Sequence, residues 1–180
     1  MATVQSAPGP WDWVLLNYRL PREPSTPRIA VWRQLRRLGA AQLSDGLVTL
    51  PADARTREQL DWVAATVAEA RGTAGIWLAR PASLAQERDL AAAMAAARAT
   101  EYQSLRDQAK TAAGLPAAER ARVARRLRDQ LRDQLRGIRR RDFFPPPQRA
   151  AAVAVVNALV AGDPAFQAAG PVRGHSGSRQ

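Results

Sequence analysis

Between residues 13 and 81 the spacing of apolar positions switches repeatedly between two and about 3.6 residues, and each switch marks an element. Trp13 to Tyr18 is β-branched and aromatic in character. Trp13 and Leu15 fall on one face and Val14, Leu16 and Tyr18 on the other, a pattern that predicts a central strand. Pro21, Pro24 and Pro27 then break the chain. Ser25 or Thr26 before Pro27 predicts an N-cap with proline in the first turn, and the helix that follows ends at Gly39. Its periodicity predicts burial of Val31, Trp32, Leu35 and Leu38, with Arg33 and Arg37 one turn apart on the opposite side. Short apolar runs, 41–43 and 47–50, flank Ser44-Asp45-Gly46, and Asp-Gly between such runs signals a hairpin. A second helix, about 56–71, turns Leu60, Val63, Val67 and Ala70 inward with Trp62 flanking. Gly72 stops it, and residues 74–79 read as a last short strand.

The order strand, helix, strand, strand, helix, strand predicts an α+β domain over residues 11–81 with the ferredoxin-like split-βαβ pattern. A winged helix is the structural alternative, with 27–38 as one helix of a DNA-reading pair and 41–50 as the wing; fewer strands would mark it. Four of the five tryptophans, Trp13, Trp32, Trp62 and Trp77, fall one to an element, as a shared core requires.

After Pro81 the pattern is helical to about residue 162. Residues 83–111 form a long alanine-rich stretch with a weak stripe. Residues 117–141 carry Val123, Leu127, Leu131, Leu135 and Ile138 on one side and Arg125, Arg128, Arg132, Arg136 and Arg139 on the reverse. Residues 148–160 are apolar nearly all round and must be buried or bind a partner. The stripe of 117–141 wants either the preceding helix or the same helix of another subunit, and a homodimer through 117–141 or 148–160 is an expectation. Residues 1–10 and 163–180 read as a flexible lead-in and tail.

Charge changes the picture next. Lys plus Arg total 27 against 16 acids, a formal +11, and Lys110 is the only lysine. Such a surplus favours polyanions, nucleic acid or an anionic surface. Between residues 11 and 50 six arginines, Arg19, Arg22, Arg28, Arg33, Arg36 and Arg37, oppose only Asp12, Glu23 and Asp45. They are the first candidates for DNA contact, and Arg125, Arg128, Arg132 and Arg136 are the second group. The ordinary alternative for the second group is a solvated face partly neutralised by Asp129 and Asp133.

Candidate chemistry is sparse. The absence of cysteine removes disulfides, zinc-thiolate sites, iron-sulfur clusters and a thiol nucleophile. The one histidine, His175, lies in the Gly/Ser tail and carries no role. There is no GxSxG, P-loop or GxGxxG, so no enzyme, no catalytic residue, no cofactor and no metal site is expected. No apolar run approaches the roughly 18 to 20 residues that span a bilayer. The first ten residues have neither the basic start nor the apolar core of a secretory signal, so no membrane association and a cytoplasmic location are expected.

The run YRLPREPSTPRIAVWR, followed by LRRLG and a DGL hairpin, resembles the N-terminal domain of the chromate-resistance regulator family ChrB over roughly residues 11–150. The resemblance implies a DNA-binding repressor module controlling chromate efflux, with sensing assigned to a separate C-terminal domain. This chain stops at Gln180, without room for that second domain. A stand-alone operator binder, one half of a split regulator whose sensing half is a separate polypeptide, and an accessory module without DNA contact all fit. A fainter likeness to PaaX-type repressors and the small CRISPR-associated nucleases rests on the Tyr-X-X-Pro strand end. Those nucleases place a metal-binding aspartate after the tyrosine. Here that position is Arg19, which cannot ligate a cation.

Overall fold

The computed structural model describes residues 13–161, with side chains throughout except at 113, 117–125 and 159–161. The expected lead-in, the tail and His175 lie outside the described residues. The chain divides into two compact units. The first comprises residues up to Ala95 together with Arg141–Phe144, and the second Ala96–Arg140 with the residues from Pro145 onward.

The first unit holds β1 (Trp13–Arg19), α1 (Ser25–Leu38), β2 (Ala41–Ser44), β3 (Leu47–Pro51), α2 (Ala54–Glu69), β4 (Thr73–Ala79) and the start of α3 (Leu84–Ala113). The four strands form one antiparallel sheet in the order β2-β3-β1-β4. Each helical crossover therefore skips a strand, as the split-βαβ pattern requires, and four paired strands set aside the winged-helix alternative. β1 is central because both of its faces are apolar. Val14 and Leu16 join Val48 and Leu50 of β3 and Val31, Leu35, Leu60, Val63 and Val67 of the two helices in one buried cluster. The partners across the sheet are Leu16↔Val48 and Leu16↔Ile76, so one sheet face supplies the floor of this core.

Local chemistry sets the element ends. Gly39 sits in the left-handed region at φ 78°, its N–H reaching the Arg36 carbonyl at 3.2 Å while Ala40 N–H reaches that of Leu35 at 3.2 Å. This is a glycine stop that satisfies two otherwise orphaned carbonyls. The start of α1 differs from expectation: Pro24 occupies the N-cap and no side chain caps the helix. α2 begins two residues earlier than the sequence suggests. Asp53 Oδ1 accepts from Thr56 N at 2.6 Å and Thr56 Oγ1 accepts from Asp53 N at 2.9 Å, a reciprocal capping box.

The tryptophan core is overturned. Trp13 is buried, but Trp32, Trp62 and Trp77 are 48%, 66% and 63% exposed. On α1 and α2 the buried sector is occupied by Val31, Leu35, Leu60, Val63 and Val67. Trp32 and Trp62 stand one residue, or about 100°, away from it. On β4 the register decides. Trp77 pairs with Leu15, on the face opposite Val14 and Leu16, and so points away from the helical layer. Trp13 shares that opposite face and is buried only because Phe144 stacks on it at 5.8 Å, with Leu90, Met94 and Phe143 in the same cluster.

The second unit is helical: the remainder of α3, α4 (Ala117–Arg140) and α5 (Gln148–Ala161). Tyr102, Leu105 and Ala109 of α3 form its core with Leu131, Leu135 and Ile138 of α4 and Ala152 and Val156 of α5. Gln134 Nε2 donates to Gln108 Oε1 at 3.3 Å across α4 and α3. The α4 stripe is thus taken up within the chain, by the preceding and following helices together. Val123 and Arg125 belong to α4, and their side chains fall outside the described residues.

Candidate nucleic-acid interface

α1 carries the densest set of candidate residues. With Val31 and Leu35 buried, a rotation of 100° per residue places Ile29, Arg33, Arg36 and Arg37 on the outward side and Trp32 on its flank. Arg33 and Arg37 are exposed, and among the described residues neither makes an ion pair or a hydrogen bond. Arg36 lies over the Trp32 ring at 4.9 Å from its centroid, so the half-exposed indole is roofed by a cation. Two arginines in the last turn also complement the negative end of the helix. Apolar atoms and guanidinium groups therefore alternate on a rigid helix face held from behind by the buried core.

The other early arginines divide. Arg28 donates from Nη2 to the Arg22 carbonyl and to the Pro21 carbonyl at 3.4 Å, tying the preceding loop to the first turns of α1. Arg22 is exposed on that loop. Arg19 does not join this surface. It ends β1 opposite Thr73 of β4, and alternation puts it on the sheet face carrying Trp77. Of the six arginines singled out in this region, α1 gathers Arg33, Arg36 and Arg37, and Arg28 shapes the loop that carries Arg22.

α4 displays its second group in a different way. Arg132 and Arg139 are exposed and Arg128 half-buried, but Arg136 is ion-paired with Asp133 one turn back on its own helix. Such an exposed pair contributes little to stability yet offsets one positive charge of the face. Asp133 is one of the two neutralisers expected for this face, and it sits at i,i+3 spacing from Arg136.

Among the described residues no group of three His, Cys, Asp or Glu side chains is placed to hold a metal ion, and no helix is long and apolar enough to cross a membrane. A depression of about 970 Å³ in the second unit is lined by side chains such as Gln103, Ser104, Gln108 and Gln130. Its amides pair locally, as Gln103 Nε2 does with Asp107 Oδ1 at 3.0 Å. The Tyr18 hydroxyl is pushed above its ordinary 10.0 by burial and, secondarily, by the Asp45 carboxylate.

A family model described as "Protein ChrB, N-terminal" matches residues 28–163, from the first turn of α1 through α5. The chain belongs to the ChrB N-terminal family. Protein ChrB of Cupriavidus metallidurans is 34% identical to it over 137 residues, which cover 74% of this chain and 40% of that protein. The chain therefore spans about two fifths of the length of the ChrB relative it matches. No solved structure matches it. The ChrB match encloses the arginine face of α1, the hairpin, α2, β4 and the three C-terminal helices, so both units belong to the ChrB N-terminal region.

Proposed function

We propose that this ChrB-type chain is a DNA-binding regulator of chromate resistance that lays the outer face of α1, and the loop before it, along a phosphate backbone. The observation that carries the reading is the pair Arg33 and Arg37, exposed and without carboxylate partners among the described residues, beside the Arg36–Trp32 stack. Guanidinium groups left unneutralised on a rigid helix exchange condensed counterions for phosphate contacts. The ChrB resemblance supports the chromate setting, and the +11 charge supports a polyanionic partner. Arg128 and Arg132 supply a second, weaker basic face. The role is one of binding without catalysis, in the cytoplasm.

A second reading, an interaction module of the same resistance system without DNA contact, is favoured by the exposure of Trp62 and Trp77. Fluorescence anisotropy with the DNA upstream of the chain's own operon, at two salt concentrations, separates the two. Tight binding at low salt that weakens steeply as salt rises is expected of the regulator. No binding at low salt leaves the interaction module.

A further inference from the structure

The two edges of the sheet are built differently. β2 is four residues long, and its pairing with β3 is broken by an irregularity between Gln42 and Ser44. Short, bulged edges resist pairing with another chain. β4, at the other edge, has none of these protections. It runs seven residues, TAGIWLA, pairs with β1 without a break from Arg19↔Thr73 to Trp13↔Ala79, and contains neither proline nor charge. In a chain of net charge +11, this uncharged edge carries Trp77 and Leu78, 63% and 62% exposed on opposite sheet faces. Every second backbone N–H and C=O of an edge strand points away from its sheet and is free to pair.

We propose that β4 pairs antiparallel with β4 of a second copy of this chain, on a two-fold axis at Ile76, to make one continuous sheet across a homodimer. The side chains are complementary in size about that residue. Pairing Ile76 with its own counterpart sets Trp77 opposite Gly75, Leu78 opposite Ala74 and Ala79 opposite Thr73. Each large residue meets a small one. Gly75 leaves the indole free space: a Cβ there would already stand 3.3 Å from Nε1 of Trp77 in its own strand. Directly opposed residues in an antiparallel pair share a sheet face, so both Trp77 rings lie on the face away from α1 and α2. The stripe of α4, one of the surfaces the sequence offers to a second copy, is used inside the chain at Leu127, Leu131, Leu135 and Ile138.

Charge adds a second signature. The same register brings Arg80 beside the second copy's Arg71, one such approach at each end of the paired strands. Like charges at that spacing repel, and salt relieves the repulsion as the Debye length falls from ~10 Å at 0.1 M to ~3 Å at 1 M. Dimerisation therefore strengthens with salt, opposite to the dependence of phosphate binding.

Sedimentation velocity of the full chain over about 1 to 100 μM is expected to show a monomer–dimer equilibrium that shifts toward dimer at high salt. Trp77→Lys weakens the dimer at least about tenfold, while Trp62→Lys, equally exposed but on α2, leaves it unchanged. Because the protein has no cysteine, Ile76→Cys introduces a single thiol whose Cα would lie about 4.5–5.5 Å from its counterpart, within disulfide range. It is expected to cross-link under mild oxidation. Thr73→Cys, about 20 Å from its counterpart by strand rise, is not. A chain monomeric throughout, a Trp77→Lys dimer of undiminished affinity, or equal cross-linking at 73 and 76 overturns the proposal.

Discussion

At Gly46 a single missing carbon holds the hairpin against the central strand. Tyr18 N–H donates to the Gly46 carbonyl at 2.7 Å, and the glycine adopts φ 73°. A Cβ there would stand 2.4 Å from the Tyr18 carbonyl oxygen. Gly46→Ala combines left-handed strain with a backbone clash and is expected to cost about 2 kcal/mol or more, read as a fall in denaturation midpoint. Tyr18 itself gives a pH prediction. Its raised pKa means that the fold favours the neutral phenol, so the stability involved is fully present below pH 10 and is lost as pH rises through the folded-state value. The absorbance titration at 295 nm, wild type minus Tyr18→Phe, is expected to place this phenol above 10.0, and a midpoint at or below that value contradicts the burial argument.

Among the elements, α1 and α2 start by different means. α1 has no side-chain cap, and α2 is fixed by the Asp53–Thr56 box, with Thr56 Oγ1 also donating to the Pro51 carbonyl at 2.6 Å. That last bond ties the end of β3 to the first turn of α2. Asp53→Ala is expected to cost about 1 kcal/mol, seen as a lower thermal midpoint with unchanged helix content at 25 °C. Sequence pattern found both helices and the strands between them, because 3.6- and 2-residue periods are imposed by the backbone. It missed the Asp53 cap because the more obvious signal, the apolar stripe, starts only at Leu60, seven residues later. It also misread Trp32, Trp62 and Trp77: on a helix an indole one position from a buried valine satisfies the same periodicity as one inside the core, and on β4 only the register with β1 shows which face meets the helices.

For the molecule as a whole, the basic groups do not act as a uniform +11. Among the described residues Arg33 and Arg37 stand unpaired on α1, Arg36 is committed to Trp32, Arg28 to loop carbonyls and Arg136 to Asp133. On the regulator reading, Arg33→Gln combined with Arg37→Gln lowers DNA affinity and reduces the magnitude of the log–log salt slope by about 2. Arg136→Gln is expected to change that slope by less than one such contact. Anisotropy titrations at several salt concentrations check both, and equal effects from the two sets place the contact elsewhere. Element order, the central place of β1, the glycine stop of α1 and the outward aim of Arg33 and Arg37 were already decided along the chain. Each follows from backbone period, turn chemistry or the exclusion of unpaired charge from a core, and none needs a distant partner. Tertiary structure alone decided that Phe144 covers Trp13 while Trp77 stays open, that α4 spends its stripe on α3 and α5, and that among the described residues β4 ends the sheet as a free edge. Those outcomes depend on which surfaces meet across long sequence separations, and a local pattern holds no record of its partner.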